Sequence, residues 1–508
     1  MSTNNHFARS SGILLHISSL HSPYGIGTLG RAAYEWVDFL CACGQKYWQL
    51  LPHGPTGYGD SPYQTFSVFA GNSYFVDLDI LCSEGLLERS DYVDVRWSCS
   101  DGLVNYGALY EFREPVLRKA YSRFDDKDAL KEFMDLHPWA KPYGLYMAIK
   151  ATQNQRCWTQ WDNSLRLHEP DVIKQMQVEL SEDILYHVFV QYKFYSQWDA
   201  LRCYANEKGV RIIGDISIYA ACDSADVWLN TELFQLDENN YPTMVAGCPP
   251  DGFTADGQLW GNPLYDWDAL AKTDYEWWIT RLKSGFELYD VLRIDHFRGF
   301  ESYYAIPYGD TNAVNGHWKQ GPGMNLINSI KRAFPNKLVI AEDLGYLTEN
   351  VRKLLKDSGY PGMKILQFAF DTREGEVNEY LPYNYERNSV VYPGTHDNDT
   401  MLGWCHSAPE DSVAKAMEYV GVYQKSDLPR AIIRLAMQST SDLAIIQMQD
   451  WLNLGSEARM NTPSVVDGNN WRWRIRGSDL TTELAMSIAG ITSLYGRSTH
   501  SGCDLTAQ

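Results

Sequence analysis

Short apolar runs and longer amphipathic stretches take turns along this chain. Gly12 to His16 reads as a brief buried strand, followed by a loop from Leu20 to Gly30. Ala33, Trp36, Val37, Leu40 and Cys41 then fall at i, i+3, i+4, i+7 and i+8. That spacing is one apolar helix face, and Gly44 is its stop. Tyr47 to Leu51 follows as a second strand, closed by Pro52. Strand, helix, strand is the repeating unit of a parallel sheet.

The rhythm then breaks and resumes. Residues 78–180 read as an inserted, mostly helical subdomain carrying Val104-Asn105-Tyr106-Gly107. Leu185, Val188, Phe189 and Tyr192 mark another amphipathic helix, which ends near Gly209. Six further strands are expected: Val210 to Ile216, Val291 to Phe297, Leu338 to Asp343, Lys364 to Phe370, Ser389 to Tyr392 and Leu443 to Gln447. With the first two they make about eight, the number in a closed barrel. The expected fold class is therefore α/β, a (β/α)8 TIM barrel with large helical and loop insertions. The expected domain is a single catalytic unit over residues 1–508. A second insertion, residues 223–266, is rich in Gly and Pro and carries Phe253 and Trp260; it reads as a loop covering the site. Residues 400–440 read as helical. An open doubly wound sheet is the alternative, but no glycine-rich phosphate loop follows the first strand.

Four of the strands end in acids: Asp215, Asp295, Glu342 and Asp397. In a parallel barrel all C-terminal ends open on one face, so these carboxyls should meet. Converging carboxylates repel, and at least one should hold its proton unusually well. Arg293 and His396 stand beside them and can keep the others anionic. One ionised carboxylate beside one protonated carboxyl suits glycosidic-bond chemistry. Less favoured readings are a Mg²⁺ site for a phosphorylated substrate, a zinc site using His296 and His396, and a purely binding protein. No phosphate loop and no HExxH spacing supports the first two.

Composition narrows the field. A net charge of −20 argues against nucleic acid and anionic membranes as partners. Of the 17 Trp, 33 Tyr and 18 Phe many must be core, and a surplus suits sugar stacking. Ten Cys are scattered, with Cys41 and Cys43 the only close pair, so free thiols in a reducing compartment are expected. No run is long enough to span a bilayer, and Met1 to Ser11 lacks a signal-peptide pattern, so cytoplasmic residence is expected.

Several stretches together resemble the 4-alpha-glucanotransferases of the amylomaltase (disproportionating enzyme) family, relatives of the alpha-amylase clan. They are Gly59-Asp60-Ser61-Pro62-Tyr63-Gln64, Gly214 to Tyr219, Asp223 to Trp228, Pro249-Pro250-Asp251, Gly257 to Pro263, Leu292 to Gly299, Ala341 to Gly345 and Gly394 to Thr400. The resemblance implies Asp295 as nucleophile, Glu342 as acid/base and Asp397 as transition-state stabiliser. It implies Tyr63, Asp215, Asp251, Trp260, Arg293, Phe368 and His396 as substrate-binding residues, with Tyr58 and Tyr106 as weaker carry-overs. It implies no cofactor, maltooligosaccharides and other α-1,4-glucans as partners, and glucose as an acceptor. The residues alone leave transfer and hydrolysis nearly even; the resemblance favours transfer. Two departures stand out. Ser217 occupies a position where the family has proline, and Ser464-Val465-Val466 replaces its usual Gly-Thr stretch.

Overall fold

In the computed structural model, residues 6–57, 59–98, 100–250, 255–345, 347–372, 378–466 and 468–498 are described. Tyr58, Asp251 and Phe253 lie outside them. The strands in chain order are β1 (Ser10–Leu14), β2 (Tyr47–Gln49), β3 (Arg211–Ile216), β4 (Met244–Cys248), β5 (Gln258–Pro263), β6 (Val291–Ile294), β7 (Ser302–Pro307), β8 (His317–Gln320), β9 (Leu338–Ala341), β10 (Gly362–Ile365), β11 (Ser389–Tyr392) and β12 (Leu443–Gln447).

Eight of these form one parallel sheet in the order β10-β11-β12-β1-β2-β3-β6-β9. They are the eight expected from the sequence, and the sheet curls into a nearly closed barrel. The period of two sorts each strand's residues. Val291 of β6 and Ile340 of β9 pack in an inner cluster with Ile213, Ile365, Tyr392 and Ile445. Their neighbours Leu292, Ile294, Val339 and Ala341 pack outward in the main core. Arg293 and Asp215 sit on the inward register and so inside the barrel.

The strands are shorter than the apolar runs suggest. β6 ends at Ile294 and β9 at Ala341, so Asp295 and Glu342 lie just beyond their strands. β10 ends at Ile365, and Leu366–Ala369 is a helical turn, which puts Phe368 on a helix rather than on the expected strand. A continuous apolar run does not say where extended backbone stops.

The seam between β9 and β10 is closed differently from the other joints. Ala341 N–H donates to Pro361 O at 3.0 Å. Met363 N–H donates to the side-chain Oδ1 of Asp343 at 2.6 Å. A side-chain carboxyl thus replaces a ladder bond, and Gly362 leaves it room, since a Cβ there would lie 2.6 Å from Asp343 Oδ2.

Residues 78–180 are mostly helical, with long helices at Tyr106–Ser122, Lys127–Leu136, Ala140–Thr152 and Pro170–Glu179. The next helix, Ser181–Glu207, returns the chain to β3. The 223–266 segment departs from the loop expected: it contains β4 and β5. With β7 and β8 these form a four-stranded antiparallel sheet, order β5-β4-β7-β8. The β4–β5 pair shows no clean apolar alternation in sequence, because Gly247, Gly261 and Pro263 break it.

The loop after β3 is fixed in an unexpected way. Ser217 Oγ donates to Tyr219 O at 2.8 Å. The buried Arg281 donates to the carbonyls of Ser217 and Ile218. Hydrogen bonds therefore supply the stiffness that a proline ring at 217 would give.

Candidate active site

Asp295 follows β6, and its N–H donates to Ile216 O of β3 at 2.9 Å. The chain then turns sharply. His296 adopts a left-handed conformation (φ 51°, ψ 45°) and starts a 3₁₀ turn, Phe297–Phe300. Such backbone is costly for a side-chain-bearing residue and is retained where the surroundings hold it. Here the holder is Glu342. Its Oε2 accepts the His296 N–H at 2.6 Å, and its Oε1 accepts the Leu344 N–H at 2.7 Å. Glu342's own N–H donates to Ile294 O at 3.0 Å, and its carbonyl accepts from Phe297 N–H at 2.9 Å. The two acids are thereby registered to each other through the backbone on either side of Asp295.

Arg293 lies inside the barrel below them. Its Nη1 donates to Asp215 Oδ1 and Oδ2 at 2.7 and 2.6 Å. The same nitrogen is 3.0 Å from Asp295 Oδ1. Asp215 is buried, whereas Asp295 keeps 28% of its side chain open to the cleft. Burial opposes the charge on Arg293, but Asp215 and Asp295 overcome it and hold its pKa well above the ordinary guanidinium value. At Asp295 the dominant influence is desolvation, which raises its pKa; Arg293 opposes this, and Glu342 adds to it. Glu342 is raised too, first by burial, against the pull of Arg293 and of its two N–H donors. The two carboxyls therefore hold a proton to higher pH than either would in water, and that proton belongs to the pair.

Tyr63 closes one side. Its hydroxyl is 2.8 Å from Asp215 Oδ2 and 2.9 Å from His396 Nε2. The hydroxyl has one proton, and Asp215, paired with Arg293, only accepts. His396 must then donate from Nε2, which fixes its tautomer. Burial lowers the His396 pKa, so the ring is neutral. The two rings stack at 5.4 Å and 11°.

Asp397 Oδ1 lies 3.4 Å from His396 Nε2, with 44% of its side chain exposed. Asn461 Nδ2 donates to its Oδ1 at 2.6 Å, and Arg459 Nη2 donates to its backbone carbonyl at 2.6 Å. Arg459 Nε also donates to Asn461 O at 2.7 Å. Sequence reasoning gives neither residue a role. Asn461 lies just before the altered C-terminal stretch, and no spacing there marks it as a partner of the third acid. The altered stretch itself is closed by Asn470, which accepts from Thr462 N–H at 2.9 Å and donates to Val465 O at 2.8 Å. Hydrogen bonds to a charged group contribute about 1.5–3 kcal/mol. Asn461→Ala should therefore lower kcat/KM about tenfold or more without lowering the melting temperature comparably. Equal losses in both would make Asn461 structural only.

Trp260, on β5, meets the His296 ring edge-on at 4.8 Å. Its backbone carbonyl accepts from Gln64 Nε2 at 3.3 Å, and Gln64 also donates to Asn262 Oδ1 at 3.0 Å. Gln64 thus ties the loop after β2 to the antiparallel sheet, a link that no spacing in the sequence announces. Phe368 is half-buried, edge-on to Tyr380 at 5.5 Å. Tyr106 instead serves the backbone: its hydroxyl donates to Trp471 O at 2.9 Å. Trp471, with φ 65°, stands 6.0 Å from both Tyr63 and His396, a placement the sequence does not signal.

The same arrangement of strands has counterparts among known proteins. A family model described as 4-alpha-glucanotransferase matches residues 15–481. The chain belongs to that family. The 4-alpha-glucanotransferase of Clostridium butyricum is 49% identical over 488 residues, covering 95% of this chain and 100% of the relative. That of Thermus thermophilus is 44% identical over 489 residues, covering 94% and 96%. Among solved structures, the amylomaltase of Streptococcus agalactiae, determined in complex with acarbose, is 40% identical. It superposes with a TM-score of 0.94, covering 97% of this chain and 100% of that one. The insertions described above are thus part of a fold shared over nearly the whole length of this 4-alpha-glucanotransferase.

Proposed function

We propose that this 4-alpha-glucanotransferase breaks and re-forms α-1,4 bonds by a retaining double displacement. Asp295 attacks the anomeric carbon while Glu342 gives its proton to the leaving oxygen. A covalent β-glucosyl ester forms on Asp295, and the non-reducing fragment stays bound through it. The 4-hydroxyl of an acceptor glucan, or of glucose, then attacks, and Glu342 takes back its proton. Two inversions restore the α configuration. Asp397 holds ring hydroxyls as positive charge builds on the sugar, steadied by Asn461.

The observation that carries this reading is the anchoring of Glu342 on the His296 N–H, one residue past Asp295. It holds the two carboxyls near each other, as retention requires; in retaining enzymes generally such carboxyls lie about 5–5.5 Å apart. Transfer rather than hydrolysis depends on excluding water from the ester. The Tyr63 loop and β5, joined through Gln64, are the walls suited to that. We assign Tyr63, Asp215, Arg293, His396, Trp260 and Phe368 to substrate binding, or to holding the groups that bind it. Asp251 is assigned from sequence only. A cytoplasmic site of action belongs to the same proposal. No described helix is long and apolar enough to cross a membrane, and no disulfide joins the described cysteines.

Incubation with maltotriose tests the proposal. Free glucose with a ladder of longer maltooligosaccharides is expected. Shortening to glucose and maltose without a ladder would make the chain a hydrolase.

A further inference from the structure

The antiparallel sheet carries an aromatic ring that the chemistry above does not use. Trp318 lies on β8, the outer edge of the sheet. It pairs in register with Tyr304 of β7, and the two rings meet edge-on at 5.2 Å and 66°. The Arg298 guanidinium lies over the Trp318 ring at 4.0 Å from its centroid. Arg298 belongs to the turn that begins at His296, three residues past Asp295, and its charge is felt by Glu342. Trp318 therefore stands one side chain away from the catalytic turn.

One face of the indole is taken by Arg298, and the Tyr304 ring packs against it at a steep angle. Yet 40% of the residue is exposed. The flat ring is thus part-open and is held on a strand at the sheet's outer edge. Gln320, two residues along β8 and on the same face, is exposed and donates to Glu301 O at 2.6 Å. Glu301 Oε2 in turn accepts from Ser302 Oγ at 2.5 Å. A flat apolar face rimmed by amide and carboxyl groups matches a pyranose, whose C–H face stacks while its hydroxyls bond at the edge. Covering Arg298 needs only apolar bulk, and a leucine would provide it. The flatness and exposure are left unexplained unless something stacks there.

We propose that Trp318 is a stacking platform for an α-1,4-glucan segment lying beyond the sugars at the cleaved bond. The proposal rests on the transferase reading and adds to it a preference for longer chains.

The test compares maltotriose with maltoheptaose in two variants. Trp318→Leu keeps a cover over Arg298 but has no flat face; Trp318→Phe keeps a ring. The ratio of kcat/KM for maltoheptaose to that for maltotriose should fall about fivefold in Trp318→Leu and stay within about twofold in Trp318→Phe. Equal losses on both substrates, or no loss on either, would overturn the platform and leave Trp318 a buttress of the catalytic turn. Calorimetric titration with maltoheptaose, each protein carrying Asp295→Asn, reads the same binding without turnover. Its Kd should rise about fivefold in Trp318→Leu and not in Trp318→Phe. An unchanged Kd in Trp318→Leu would equally overturn the proposal. A wild type that makes no ladder from maltotriose would count against the transferase reading instead, and the titration would still decide on Trp318.

Discussion

Asp295→Asn is expected to lower kcat/KM for maltotriose by about ten-thousandfold or more, the scale of losing a covalent nucleophile. The amide is the same size as the carboxylate, and its oxygen can still accept from Arg293 Nη1, which lies 3.0 Å from Asp295 Oδ1. The fold around it should therefore survive. What is lost is the charge that, on the proposed route, attacks the anomeric carbon. Glucose release and ladder formation should disappear together, because both pass through the same ester. The check is an initial-rate assay beside a thermal melt. A variant that melts like the wild type but keeps more than about 1% of its rate would remove Asp295 from the nucleophile's position.

Glu342→Gln should cost about a hundredfold to ten-thousandfold, the range of general acid–base catalysis. Its effect on pH dependence is more telling. On the proposed route transfer requires the proton on Glu342, so activity should be lost as pH rises through the Glu342 pKa. Burial raises that pKa. The alkaline limb of kcat/KM should therefore lie above the ordinary carboxylate range in the wild type and vanish in the variant. An activated donor such as a maltosyl fluoride needs no protonation on departure. With it, the first step should be largely restored in Glu342→Gln and not in Asp295→Asn. Failure of the fluoride to separate the two variants would mean that Glu342 does more than carry a proton. Both Glu342 oxygens accept backbone N–H groups, so the new amide must turn its NH₂ toward one of them. Part of the loss will then be strain at the His296 turn.

Much of this architecture could be read from the chain because burial writes it there. All eight barrel strands come from short apolar runs, and the run Val291-Leu292-Arg293-Ile294-Asp295 already places Arg293 and Asp295 on one face. The mutual approach of Asp295, Glu342 and Asp397 follows once the strands are parallel. The hidden parts rest on single hydrogen bonds between segments far apart in sequence. Asn461 reaches Asp397 across 64 positions, and Gln64 reaches Asn262 across 198. No periodicity encodes such pairs. The antiparallel sheet was hidden for another reason: Gly247, Gly261 and Pro263 interrupt its strands, so its apolar pattern never repeats long enough to be seen. The Asp343 seam belongs with these. In sequence Asp343 is only one more acid at the end of an apolar run, and the Met363 N–H shows it to be a strand partner.

The Arg293 fork has a consequence for the waiting time of the enzyme. At rest, one guanidinium answers to two aspartates, and only Asp215 holds it with both oxygens. When Asp295 becomes an ester on the proposed route, its negative charge is gone. Arg293 and Asp215 are then left as a matched pair, one positive and one negative, already in contact. The trapped sugar sits above an electrically balanced floor, and no stranded charge beneath it presses for hydrolysis or reversal. A glucan must diffuse in while the ester persists, so a long-lived intermediate is what an enzyme that hands sugar to sugar requires.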